Sequence, residues 1–115
     1  MTIARRQTVL WLAQRASAVV LALCVTVHLA TIIIAVRGGL GADEILLRTR
    51  GSMAWGLFYS VFVVAVAIHA PIGLRTVLSE WAGASGRAMD VLLFALALFL
   101  AVMGMRAVIA VTGRA

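Results

Sequence analysis

The chain has 115 residues, of which 64% are hydrophobic and 12% charged, with a net charge of +6. Its mean hydropathy is +1.13, whereas a soluble domain is about 45–50% apolar and about 25% charged. A chain this short cannot hide such an excess in one core, so its main solvent is lipid and a soluble catalytic domain is excluded.

The N-terminus places Arg5 and Arg6 ahead of an apolar stretch. This outlines a secretory leader, but the stretch is too long, contains Arg15 and His28, and lacks a small-residue cleavage site. A retained segment is expected. The first span is predicted over residues 16–36, which carry no formal charge. That length meets the roughly 20 helical residues a bilayer core requires, and backbone groups in lipid must be satisfied within a helix. Turning about 100° per residue gathers Gln14, Ser17, Leu21, Cys24, His28, Thr31 and Ala35 on one face. This small, polar face is expected to meet protein or a cofactor. Cys24 is the only cysteine, which excludes an internal disulfide or a paired-cysteine centre. It is expected to pack as a small hydrophobe.

Residues 37–52 contain Gly38, Gly39, Gly41 and the pair Asp43–Glu44. They predict a turn with one short interfacial helix over 42–47. The second span is predicted over 53–81. One of its faces joins Phe58, Phe62, Ala65, His69, Gly73, Thr76 and Glu80. Gly73, one turn beyond His69, is expected to let a flat, bulky group approach the backbone. Pro71 is expected to kink the helix. Gly83 to Gly86 break it. The third span is predicted over 91–111, where Ala97, Ala101 and Gly104 suit close helix packing and Arg106 snorkels to the surface. The expected fold is all-α: one domain over 1–115, an integral membrane bundle of three transmembrane helices.

All ten cations are arginine, and they lie at the ends of the apolar runs, as in a membrane protein rather than a nucleic-acid binder. The membrane face holding the N-terminus, side A, has Arg5, Arg6, Arg15, Arg75 and Arg87. Side B has Arg37, Arg48, Arg50, Arg106 and Arg114. With five on each side, the positive-inside rule leaves orientation open.

Histidines inside spanning helices are costly and invite a functional reading. His69 and His28 suggest axial ligation of haem b; the alternative is hydrogen bonding between helices. Measured from Arg75, His69 lies roughly 9 Å from side A, and measured from Arg37, His28 lies roughly 13 Å from side B. In a core of about 30 Å their depths then differ by roughly 8 Å. One upright haem is therefore not expected to bind both. A second chain supplies the other ligand, or His28 serves a separate haem, or His28 is structural. Arg15, Ser17, Arg75, Glu80 and Trp81 all lie near side A. Such a group can donate to quinone carbonyls and deliver protons; the alternative is an ordinary interfacial belt.

The run Arg15-Ala16-Ser17-Ala18 resembles the opening of helix one in the cytochrome b membrane-anchor subunits of succinate dehydrogenase and fumarate reductase. The run His69-Ala70-Pro71-Ile72-Gly73-Leu74-Arg75, continuing to Glu80-Trp81, resembles that family's helix-two signature. Length and three-helix plan extend the resemblance over nearly the whole chain. It implies a second membrane-anchor subunit, an iron–sulfur subunit and a flavoprotein subunit as partners. It implies His69 as an axial haem b ligand, with Arg75 and His28 as further cofactor positions, His28 resembling the helix-one histidine of the two-haem branch. It implies quinone binding by Arg15, Ser17, Glu80 and Trp81, a cytoplasmic side A, and a place in the respiratory chain of a bacterial inner membrane. Two departures stand out: Gln14 where the family often has histidine, and Glu80–Trp81 where one anchor usually has Asp–Tyr. The rival readings are a haem-free structural anchor, a haem b subunit of another quinone-linked complex, and a small oligomeric transporter.

Overall fold

A computed structural model describes residues 2–113; Met1, Arg114 and Ala115 lie outside the described residues. Within these, the chain forms four helices: α1 (Ile3–Arg37), α2 (Ala42–Thr49), α3 (Met53–Ala82) and α4 (Arg87–Thr112). Three of them, α1, α3 and α4, are long and apolar enough to cross a membrane. This is the expected all-α three-span bundle. It measures 50 × 25 × 25 Å, and its long axis matches the ~52 Å that 35 helical residues span.

The helix ends follow local chemistry. Thr2 caps α1, its hydroxyl accepting from Arg5 N at 3.2 Å. No glycine or proline interrupts residues 3–15, so the helix runs unbroken into the apolar segment. The predicted start at residue 16 was set by charge, which does not stop a helix; α1 begins thirteen residues earlier. In α2, Asp43 and Glu44 occupy the first turn and Arg48 the last, complementing the helix dipole. It extends two residues past its predicted end. Ser52 caps α3 by accepting from Trp55 N at 3.2 Å, and the helix continues through the buried Pro71. Gly83 ends it in the left-handed conformation at φ 64°, where a glycine carries no Cβ penalty.

α3 is the central helix, packed against both α1 and α4. The predicted α1 face is the packed one: Ser17 and Cys24 are buried and Gln14, Leu21, His28, Thr31 and Ala35 are half-buried. On the other side of α3, a Cβ on Gly104 would lie 2.6 Å from Val63 Cγ1, so α4 approaches as closely as only glycine permits. The loop after α2 is tied to the end of α4. Thr49 Oγ1 donates to Val111 O at 2.8 Å and Gly51 N donates to Thr112 O at 2.7 Å. Both bonds satisfy carbonyls that the end of α4 would otherwise leave without a partner. On side A, Asp90 Oδ1 receives Arg75 Nη1 at 2.6 Å and lies 3.6 Å from Arg6 Nη2. This triad joins the ends of α1, α3 and α4. Exposed pairs of this kind stabilise little, but they fix which helix ends lie side by side.

Candidate functional site

The two histidines sit on the seam between α1 and α3, each opposite a hydroxyl. Ser17 Oγ lies 3.3 Å from His69 Nδ1. The same hydroxyl lies 3.1 Å from Gln14 O, so Ser17 engages both the α1 backbone and the imidazole. With its hydrogen on Gln14 O, it accepts from His69 Nδ1–H and leaves the Nε2 lone pair free; among the described residues Nε2 has no hydrogen-bond partner. This is how a metal-binding imidazole is oriented: an acceptor on one nitrogen fixes the tautomer and raises the basicity of the other.

His28 is placed differently. Its Nδ1 lies 3.3 Å from Tyr59 Oη. Its ring packs edge-on to Tyr59 and Phe62, with centroids 5.8 and 5.7 Å away. Tyr59 belongs to an aromatic band in which Trp55, Phe58 and Tyr59 contact one another and Phe62 contacts Phe58. The spacing of these four residues on one helix face was visible in the sequence, but the pairing with His28 depends on the antiparallel register of α1 and α3.

That register also corrects the depth estimate. Ser17 faces His69 and Tyr59 faces His28, so the histidines stand eleven residues apart along α1, or about 16 Å. The expected 8 Å was half the true value. Arg75 and Arg37, used as rulers for the interfaces, lie roughly 38 Å apart along the helices. That exceeds the ~30 Å core, so they sit beyond its edges. Two imidazoles so far apart cannot share one iron.

At Gly73 a Cβ would lie 3.2 Å from Gln14 Nε2, so within this chain the bare backbone is met by an α1 side chain. Beside it, Gln14 Oε1 is buried without a hydrogen-bond partner.

The side A residues do not converge within this chain. Arg15 and Ser17 are neighbours in depth, but two residues turn about 200°. Ser17 is therefore buried on the seam while Arg15 is exposed on the opposite side, its guanidinium 5.0 Å from the Trp11 ring centroid. Glu80 is on the face of His69 but three turns further, about 16 Å away, and exposed. Trp81 is 86% exposed. Arg75 turns away from His69 and bonds Asp90. The sequence reading grouped these residues by depth alone. It left out Asp90, Trp11 and Tyr59, whose roles depend on which faces the folded helices present.

Two cavities bear on the site. One, of about 810 Å³, lies under α2 between α1, α3 and α4 and is lined by His28 and Tyr59. The other, of about 420 Å³, is flanked by Ser17, Ser60 and Ala65. Neither is lined by His69, which is half-buried.

The half-buried imidazole of His69, with Ser17 on its Nδ1, is of a chemistry suited to holding haem iron. Comparison with known proteins gives one result. A family model described as succinate dehydrogenase/fumarate reductase transmembrane subunit matches residues 2–110. No curated protein and no solved structure matches the chain.

Proposed function

The chain belongs to the succinate dehydrogenase/fumarate reductase transmembrane subunit family, and from that premise we propose that it holds haem b on His69 and forms one wall of a quinone site at side A. Family and spans together make it a multi-pass membrane subunit of that enzyme complex. The observation that carries the haem reading is the double engagement of Ser17, which leaves His69 Nε2 as the free donor. His28 is too distant to share the iron with His69, so a second ligand would come from a second membrane-anchor subunit. His28 itself is a structural histidine that closes the seam with Tyr59.

When bound, haem b supplies a one-electron store next to the quinone. The residues of this chain orient and protonate. Ser17 holds the His69 ring. Arg15, exposed at side A, donates to a carbonyl oxygen of quinone lying between this chain and the iron–sulfur subunit. Glu80, also exposed at side A but further out along α3, takes up protons at the aqueous face. The flavoprotein subunit oxidises succinate or reduces fumarate on the cytoplasmic face of a bacterial inner membrane.

Purification through a tag on this chain tests the assignment. A flavin-containing, succinate-oxidising complex that reduces quinone is expected; a tagged chain that brings down no flavin contradicts it. In that complex Arg15→Gln loses a charge-assisted hydrogen bond of about 1.5–3 kcal/mol. It should lower kcat/KM for quinone by roughly 10- to 100-fold, while succinate oxidation with a soluble dye acceptor is unchanged. A fall in both activities would show damage to assembly instead.

Ser17→Ala tests the orientation of His69. Loss of such an outer partner weakens metal binding by roughly 10- to 100-fold, so haem should dissociate more readily. The less basic imidazole stabilises the ferric state less, so the midpoint potential of the remaining haem should rise. Ser17→Thr should restore it. Potentials equal in Ser17→Ala and the parent would show that the hydroxyl only packs the seam.

A further inference from the structure

The cleft under α2 has the depth of one membrane leaflet and a cation at its mouth. It has a volume of about 810 Å³ and is half open. Along α3 its lining runs from Trp55 to Val66, and along α4 from Val111 to Leu100. Each stretch is twelve residues, eleven rises or about 16 Å, close to half of a ~30 Å hydrocarbon core. Two helices thus give the same depth independently. The lining is mostly aliphatic and aromatic.

At the side B end stand Trp55 and Arg48, residue types that anchor at the headgroup level. Among the described residues no carboxylate pairs with Arg48. The roof is fixed, because the Thr49 and Gly51 hydrogen bonds hold the end of α2 to α4. One turn in from Trp55, His28 Nδ1 is engaged with Tyr59 Oη and Thr31 Oγ1 with His28 O. From there to the inner end at Val66 and Leu100 the lining is apolar.

We propose that this cleft is a binding site for an anionic phospholipid, with one acyl chain lying between α1 and α4 and the phosphate paired with Arg48. A fixed groove that excludes lipid exchange on one side and offers an unpaired guanidinium at headgroup height selects charge as well as chain. The site depends on the chain spanning a membrane and not on the haem assignment, so the two fail separately.

The test uses the assembled complex in phosphatidylcholine nanodiscs, titrated with phosphatidylglycerol carrying brominated acyl chains. Trp55 lines the cleft, and its contribution is read as the fluorescence difference between the parent and a Trp55→Phe variant. Saturable quenching of Trp55 by the brominated phosphatidylglycerol is expected, with much weaker quenching by brominated phosphatidylcholine. Arg48→Gln, at an exposed position, should raise the half-saturating lipid fraction roughly tenfold. Ala107→Phe, which fills the cleft from an exposed position, should abolish the quenching. Equal quenching by both lipids, or an Arg48→Gln curve equal to the parent curve, would overturn the proposal. Displacement by inorganic phosphate would mark a bare anion site, and displacement by added quinone would assign the cleft to a quinone tail; either result also overturns it.

Discussion

Replacing His69 with alanine is expected to strip haem b from the assembled complex while its flavin content stays intact. Among the described residues His69 Nε2 has no hydrogen-bond partner, and the other histidine, His28, stands about 16 Å away along α1, too far to take over the ligand role. Haem b is not covalently attached, and a single remaining imidazole on the second subunit would hold it weakly. The cost to folding is small by comparison. His69 is half-buried, and Ser17 keeps its bond to Gln14 O, so the loss is that of one neutral hydrogen bond, about 1 kcal/mol.

The measured quantity is haem per flavin in complex purified through this chain. A fall to near zero in His69→Ala, with partial recovery in added imidazole, is the expected result. His28→Ala is the matched control. It removes a membrane histidine of similar burial and should leave the ratio unchanged. Equal ratios in His69→Ala and the parent would remove His69 from the iron.

The second large effect is on assembly. Gly104→Ala places a Cβ 2.6 Å from Val63 Cγ1 and 2.9 Å from its Cγ2, so α3 and α4 must separate or Val63 must leave its rotamer. Overpacking of this kind costs about 1–3 kcal/mol. In lipid there is little hydrophobic drive to push the helices back together, and close contact is itself what holds them. The thermal midpoint of the purified complex should therefore drop. Val63→Ala removes both offending methyls, so the double variant should be more stable than Gly104→Ala alone. A double variant no better than the single one would show that the loss does not arise at this contact.

Much of this architecture was legible because the chain is so apolar that its few exceptions carry the signal. The α1 face holding Ser17, Cys24 and His28 was readable as a packing face, and it is the buried one. The stripe of Ala97, Ala101 and Gly104 was readable as close packing, and Gly104 sits against Val63. Depth along a helix was also readable in outline, but azimuth between helices was not. Arg15 and Ser17 looked like one cluster because they share a level, yet they point to opposite sides. Arg75 looked like part of the His69 group, yet it reaches Asp90 across the α3–α4 turn. That contact appears only once the turn folds α4 back along α3. The early start of α1 was missed because a charge-free window was mistaken for a helix boundary. Gly73 marks a close approach, here of Gln14, and a glycine in a sequence shows where something comes close without showing what.

The half haem b site proposed on His69 is tested most directly by the dithionite-reduced minus air-oxidised spectrum of the parent complex, purified through this chain and normalised to flavin. A b-type haem band at about one haem per flavin, lost in His69→Ala and kept in His28→Ala, is the predicted result. A flavin-containing, succinate-oxidising complex with no b-type band would contradict it.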